Sequence, residues 1–152
     1  MTPFSDALAA LAALQPSGIA ARFTVEDAPD QLSRVQFPAL LVRLFDEQDR
    51  RLFRERGEAF EALAFANGPA LVTFTVTHLL LVAPEADGYG GRSQLPRLAS
   101  LLDAYFAALA ADPTLGGALA APARVTVEAG TFGYGDLRCT GAALRHRWKV
   151  GY

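Results

Sequence analysis

Two long stretches of alternating apolar and polar residues constrain this chain more than any other feature. Alternation with a period of two places one set of side chains on each face of a β-sheet. In residues 71–82, Val72, Phe74 and Val76 alternate with three threonines, which predicts the central strand of a sheet. Residues 137–150 end in two rows, with Leu144, His146, Trp148 and Val150 on one face and Arg145, Arg147 and Lys149 on the other. We therefore expect a sheet whose faces differ in chemistry.

Helical spacing of apolar residues marks two further segments. Phe4, Leu8 and Leu11 recur along one helix face near the N-terminus, and a longer helix is expected over residues 94–111. Shorter apolar segments predict additional strands at residues 19–25, 39–45, 59–66 and 123–128. The order of helix, strands, helix and strands is typical of an α+β fold. We expect one domain over residues 1–152, a mostly antiparallel sheet with two main helices packed on it.

The composition supports a packed domain and excludes several classes of protein. Hydrophobic residues make up 51% of the 152 residues, which is enough for a core without a disulfide or a metal. A net charge of -2 excludes a polybasic nucleic-acid binder, although not a local basic patch. The single cysteine, Cys139, cannot form an intrachain disulfide. With no apolar run near membrane-span length and no export signal, we expect no membrane association and assembly inside a cell.

Motifs that carry catalysis or bind cofactors are absent from the sequence. It has no nucleophile elbow, no phosphate-binding loop and no paired cysteines or histidines at metal-ligand spacing. His78 and His146 lie in predicted strands, where a satisfied, half-buried histidine is the usual case, and Cys139 is typical of a small core residue. An enzyme would have only these two histidines as sensible bases. We therefore predict a protein that is not an enzyme, with no catalytic residues, no metal ligands and no cofactor.

The basic row of Arg145, Arg147 and Lys149 is the clearest positive signal. One interpretation is the solvated face of an edge strand, where charges discourage aggregation. The other is a channel-facing or partner-facing stripe that meets a polyanion or an acidic subunit surface. Contact with DNA through this row would be independent of sequence and weakened by salt.

Several blocks, in order, carry a resemblance to a known family. His78-Leu79-Leu80-Leu81-Val82-Ala83 precedes a glycine loop, and Leu101-Leu102-Asp103-Ala104-Tyr105 and Asp112-Pro113-Thr114-Leu115-Gly116-Gly117 follow. Val125 to Val127 and a closing strand from Gly141 to Val150 complete the order. Over residues 40–150, this pattern resembles the tail-terminator and head–tail joining (tail-completion) proteins of long-tailed bacteriophages.

The resemblance implies a structural virion protein of the tail or neck, assembled in the host cytoplasm. Such a subunit forms a homo-oligomeric ring, usually a hexamer, that caps the tail tube and joins it to the neck or connector protein. Loop residues that would otherwise expose apolar surface are candidate subunit contacts: Leu52, Phe53, Tyr89, Phe132 and Tyr134. Two alternatives stay open at this point, another neck or tail-completion subunit and a small-ligand-binding α+β domain.

Overall fold

A computed structural model describes residues 3–44, 60–63, 70–85 and 91–152. This part of the chain contains two helices and six strands. In order they are α1 (Pro3–Ala12), β1 (Ala21–Phe23), β2 (Ala39–Arg43), β3 (Phe60–Leu63), β4 (Leu71–Pro84), α2 (Leu95–Ala111), β5 (Arg124–Tyr134) and β6 (Leu137–Gly151). Short 3-10 turns occupy Arg34–Gln36 and Gly91–Gln94.

The six strands form one sheet in the order β1-β2-β4-β6-β5, and β3 pairs with the first part of β4. β1 and β2 run parallel, whereas the other pairs are antiparallel. The central position predicted for residues 71–82 is confirmed, because β4 pairs with β2, β3 and β6. The α+β class, with a mostly antiparallel sheet and two helices, is also confirmed.

Both helices pack on the same face of the sheet, which we call the helix-covered face. α1 buries Ala7 and Leu11 against the half of this face that holds Phe74 and Trp148. Phe4 of α1 stacks on Phe74 with ring centroids 4.0 Å apart. The other half is covered by α2, whose buried side chains are Leu98, Leu101 and Tyr105. The spacing of apolar residues along each helix therefore produces the core that the sequence predicts.

The opposite face of the sheet divides into an apolar half and a polar half. In the apolar half, Leu41 and Leu79 pack beneath Leu32 and Phe37 from the segment before β2. The polar half carries the basic row and lies behind α1. This division follows from the sequence of β4, which changes along this face from leucine at positions 79 and 81 to threonine at positions 73, 75 and 77.

Two local predictions are wrong. The sequence predicts a strand that ends at residue 128, with Phe132 and Tyr134 in a loop, but β5 continues to Tyr134 and only the two residues before β6 turn. The basic row was assigned in one interpretation to an edge strand, whereas β6 lies between β4 and β5. In both cases long-range strand pairing decides the structure. β5 extends through its glycines because β6 is available as a partner, and β6 is an internal strand because β4 and β5 pair with its two sides.

Gly141 lies opposite Leu81 in the β4–β6 pair, next to an irregularity in the pairing. The register between these strands shifts between Leu81 and Ala83. A Cβ atom on Gly141 would collide with the backbone carbonyl oxygen of Leu80, so only glycine fits there. Its partner across the β5–β6 pair, Gly130, has open space around the same position.

Neither α1 nor α2 has the length and apolarity that a membrane crossing requires.

Candidate functional site

β6 supplies polar side chains to both faces of the sheet, and these form two separate groups. Burial alternates along its second half: Leu144, His146, Trp148 and Val150 are buried, Arg147 and Lys149 are exposed, and Arg145 is intermediate. The predicted division of this strand into two rows is therefore confirmed.

The first group joins His78, Tyr105 and His146 inside the core. In the β4–β6 register His78 lies opposite Leu144 and His146 lies opposite Val76, so the two histidines are diagonal neighbours on the helix-covered face. α2 brings Tyr105 above them. The Tyr105 hydroxyl oxygen is 2.8 Å from His78 Nδ1 and 2.6 Å from His146 Nε2.

Burial keeps both imidazoles neutral. His78 is 1% exposed and His146 is 0% exposed. Loss of hydration lowers the pKa of His146 to about 4. The pKa of His78 is held well below 6.5, first by burial and then by the neighbouring His146. Burial also raises the pKa of the Tyr105 phenol, so the tyrosine keeps its proton.

The Trp148 indole determines the direction of every hydrogen bond in this group. Its Nε1–H can only donate, and it donates to His146 Nδ1 at 3.3 Å. Neutral His146 must then carry its proton on Nε2 and donate to the Tyr105 oxygen. The single Tyr105 hydroxyl proton is left to donate to His78 Nδ1. One directed chain therefore runs from Trp148 through His146 and Tyr105 to His78.

Both histidines are hydrogen-bonded as the sequence predicts, but they are fully buried rather than half-buried. A general base must come within hydrogen-bond reach of the proton it removes. In this conformation both rings are closed off from solvent, and their paired nitrogens bond to Tyr105 and Trp148. The arrangement gives the core a fixed geometry, because a polar network in a low-dielectric interior is favourable only when its members are paired.

The second group, which we call the basic sheet face, covers the polar half of the opposite face. Strand register places its members on four adjacent strands. They are Arg43 on β2, Thr73, Thr75 and Thr77 on β4, Arg145, Arg147 and Lys149 on β6, and Arg124 and Thr126 on β5. The structure thus adds Arg43 and Arg124 to the three basic residues predicted from sequence.

Only one cation of the basic sheet face has a carboxylate partner among the described residues. Arg145 donates to Glu128 at 2.8 Å, and its side chain is 12% exposed. Arg124 and Arg147 are exposed and lie directly opposite each other in the β5–β6 register. Two like charges in cross-strand positions repel each other. Among the residues that the structure describes, the other four cations of the basic sheet face therefore have no carboxylate partner, on a chain whose net charge is -2.

The structure describes two of the five candidate subunit contacts, Phe132 and Tyr134. Leu52, Phe53 and Tyr89 lie outside the described residues. The placement of Phe132 and Tyr134 in a loop is wrong, because both belong to β5. Phe132 is half-buried against the apolar half, and Tyr134 is buried with its hydroxyl donating to the Pro29 carbonyl. Both rings pack against the apolar half of the sheet, which explains why two aromatic residues occur in a glycine-rich segment.

Cys139 is a buried thiol in the apolar half, as predicted. Burial and the nearby Glu85 raise its pKa to about 11, so it remains protonated at neutral pH. Within the described part of the chain, no cluster of three or more His, Cys, Asp or Glu side chains could hold a metal ion.

Two surface clefts lie beside α1. The larger, of about 520 Å³, lies between the start of α1 and residues 115–120, and its only titratable lining residue within the described ranges is Asp6. The other, of about 290 Å³, lies between α1 and residues 24–26. Neither is lined by His78 or His146, the two histidines that an enzyme would use as bases.

Sequence reasoning missed Tyr105, Arg43 and Arg124 as members of these groups. Tyr105 was counted with the apolar face of α2, although a hydroxyl on such a face signals a buried polar partner. The arginines could not be assigned because only strand register shows which residues share a face with the basic row.

No protein-family model and no curated protein sequence matches this chain.

Proposed function

We propose that this protein is a structural, non-enzymatic subunit of a bacteriophage virion, a ring-forming tail terminator that caps the tail tube and joins it to the neck. The proposal combines the resemblance over residues 40–150 with a fold of the class that the resemblance implies. Its mechanism is geometric, since the subunit associates through surface complementarity and no bond is made or broken. Its location is the tail and neck of a particle assembled in the host cytoplasm.

The outer edge of β5 is the observation that carries self-association. β5 is eleven residues long and ends the sheet, and no described strand pairs with its outer side. Its middle, from Ala129 to Thr131, is exposed and uncharged. Proteins usually protect such an edge with lysine, proline, a bulge or a covering element. An edge of this kind favours pairing with a strand of another subunit.

The choice of partner edge decides the symmetry of the assembly. Pairing of β5 with β5 of a second copy would give a two-fold dimer. Pairing of β5 with a different edge of the next copy is a heterologous contact, which repeats and closes into a ring when the rotation allows. A cap for a tail tube requires the second arrangement, so the proposed function predicts rings with a central hole.

The test blocks the β5 edge while sparing the core. Ala129→Lys/Gly133→Lys places two charges on exposed positions, and a side chain at Gly133 meets open space. The matched control, Ser100→Lys/Ala107→Lys, adds the same charge to exposed positions of α2. Mass photometry and negative-stain microscopy should find rings for the unmodified protein and the control, and monomers for the edge variant. Monomers or two-fold dimers of the unmodified protein would contradict the proposal.

A further inference from the structure

We propose that the basic sheet face binds the phosphodiester backbone of double-stranded nucleic acid without reading its sequence. A single chain carries the whole face, so this inference does not depend on the proposed ring. Three features carry it: uncompensated charge, the spacing of the cations, and the side chains that lie between them.

Charge is the first feature. Arg43, Arg124, Arg147 and Lys149 form no ion pair with any described residue, and Arg145 is occupied by Glu128. The direct opposition of Arg124 and Arg147 is unfavourable for the folded protein alone. An anion bound between the two guanidinium groups would turn this repulsion into two charge-assisted hydrogen bonds.

Spacing is the second feature. Neighbouring strands are about 4.8 Å apart, and residues two apart on one strand are separated by about 6.6 Å. The cations therefore form an extended array over β2, β6 and β5 rather than converging on one point. A small anion is held by a concave pocket, and neither cleft described above is lined by these residues. An extended array fits a ligand with many regularly spaced negative charges.

The intervening side chains are the third feature. Threonines lie between the cations at positions 73, 75 and 126, and their hydroxyl groups can donate to phosphate oxygens. No aromatic residue occurs among the members of the basic sheet face. Proteins that hold single strands stack bases on aromatic rings, so a face without them favours the backbone of a duplex.

The experiment is fluorescence anisotropy with the full chain and labelled duplexes of two unrelated sequences, as DNA and as RNA. Four phosphate contacts predict a slope of log affinity against log salt of about -3.6, or roughly a hundredfold loss between about 50 and 200 mM salt. Equal affinity for the two sequences is expected. A labelled single strand and a polyglutamate peptide serve as competing ligands.

Two variants with the same change in net charge separate the face from bulk electrostatics. Arg147→Glu/Lys149→Glu should lower duplex affinity about tenfold or more and reduce the salt slope by about 2. Arg97→Glu/Arg138→Glu alters exposed residues outside the basic sheet face and should leave affinity within about threefold. Arg147→Gln/Lys149→Gln, which removes charge without reversing it, should give an intermediate loss.

Specific outcomes would overturn the inference. These are no binding at about 50 mM salt, an equal loss in both charge-reversal variants, or tighter binding of the single strand. Tighter binding of polyglutamate would assign the face to an acidic protein instead. Since the edge-blocked variant Ala129→Lys/Gly133→Lys retains the basic sheet face, duplex binding by it in monomeric form tests this inference separately from ring formation.

Discussion

The two faces of β6 hold nitrogen-containing side chains in opposite environments, one buried and one largely exposed. On the helix-covered face His146 is fully buried, neutral and bonded at both ring nitrogens. On the other face its neighbours Arg145 and Arg147 keep their charges, and only Arg145 has a carboxylate partner among the described residues. A histidine can enter the core because it can lose its proton, whereas an arginine cannot.

This difference separates stability from recognition in a single strand. The buried row packs against α1 and α2 and holds the fold together. The basic sheet face includes exposed cations and an unfavourable opposition of like charges. Residues that cost stability without helping the core are expected where a surface meets a partner.

Acid is expected to have the largest effect, because it protonates the two buried histidines His78 and His146. The folded pKa values of His78 and His146 lie below the value of about 6.5 in an unfolded chain. Below about pH 6.5 the unfolded state therefore binds more protons, and the free energy of unfolding falls by up to about 2.7 kcal/mol per pH unit for the two histidines. The contribution of His146 is fully present above about pH 6.5 and is lost as the pH falls through its folded pKa of about 4, and that of His78 is lost in the same direction. Urea titrations across this range measure the slope, and His146→Gln should remove about half of it.

Substitutions of two adjacent residues test the two faces directly. Trp148 is fully buried and lies beside Phe4, so Trp148→Ala should lower the free energy of unfolding by about 3–5 kcal/mol. Lys149 is exposed on the basic sheet face, and Lys149→Ala should change it by less than about 0.5 kcal/mol. Chemical denaturation compares them, and similar effects would contradict the division of β6 into two faces.

Removal of one oxygen atom tests the hydrogen-bond chain. Tyr105→Phe leaves the facing nitrogens of His78 and His146 without their partner in the core. The expected loss is about 1–3 kcal/mol, because buried polar atoms lose water without gaining a bond. Tyr152→Phe removes the same atom at an exposed position and should have almost no effect. Equal stabilities of the two variants would show that the chain contributes nothing.

The smallest predicted effect is a gain in stability. Arg124→Glu replaces a like-charge pair with an opposite-charge pair opposite Arg147 and should raise the free energy of unfolding by about 0.2–1 kcal/mol. Salt should reduce the gain, since both side chains are exposed. Thermal unfolding at low and high salt measures it, with Arg97→Glu as the control. A loss of stability would mean that the two arginines do not repel each other.

The sequence predicts most of the fold because period-two and helical patterns are strong in β4, β6 and both helices. It also predicts the two rows of β6, which depend only on alternation. The limits of β5 and the membership of the basic sheet face depend on pairing between residues far apart in the chain, such as Arg124 with Arg147. The contact between Tyr105 and the two histidines depends on where α2 crosses the sheet, and no local pattern encodes that position.

The directed order of donors from the Trp148 indole has a consequence for spectroscopy. Because the indole cannot accept a proton, neither imidazole can change tautomer alone; moving the His146 proton from Nε2 to Nδ1 would leave two N–H groups facing each other. Both rings are thus locked as Nε2–H forms, and their nitrogen-15 resonances should report one shared event. Any loosening of α2 from the sheet would then be seen at both histidines at once, which makes this pair a built-in reporter of core integrity.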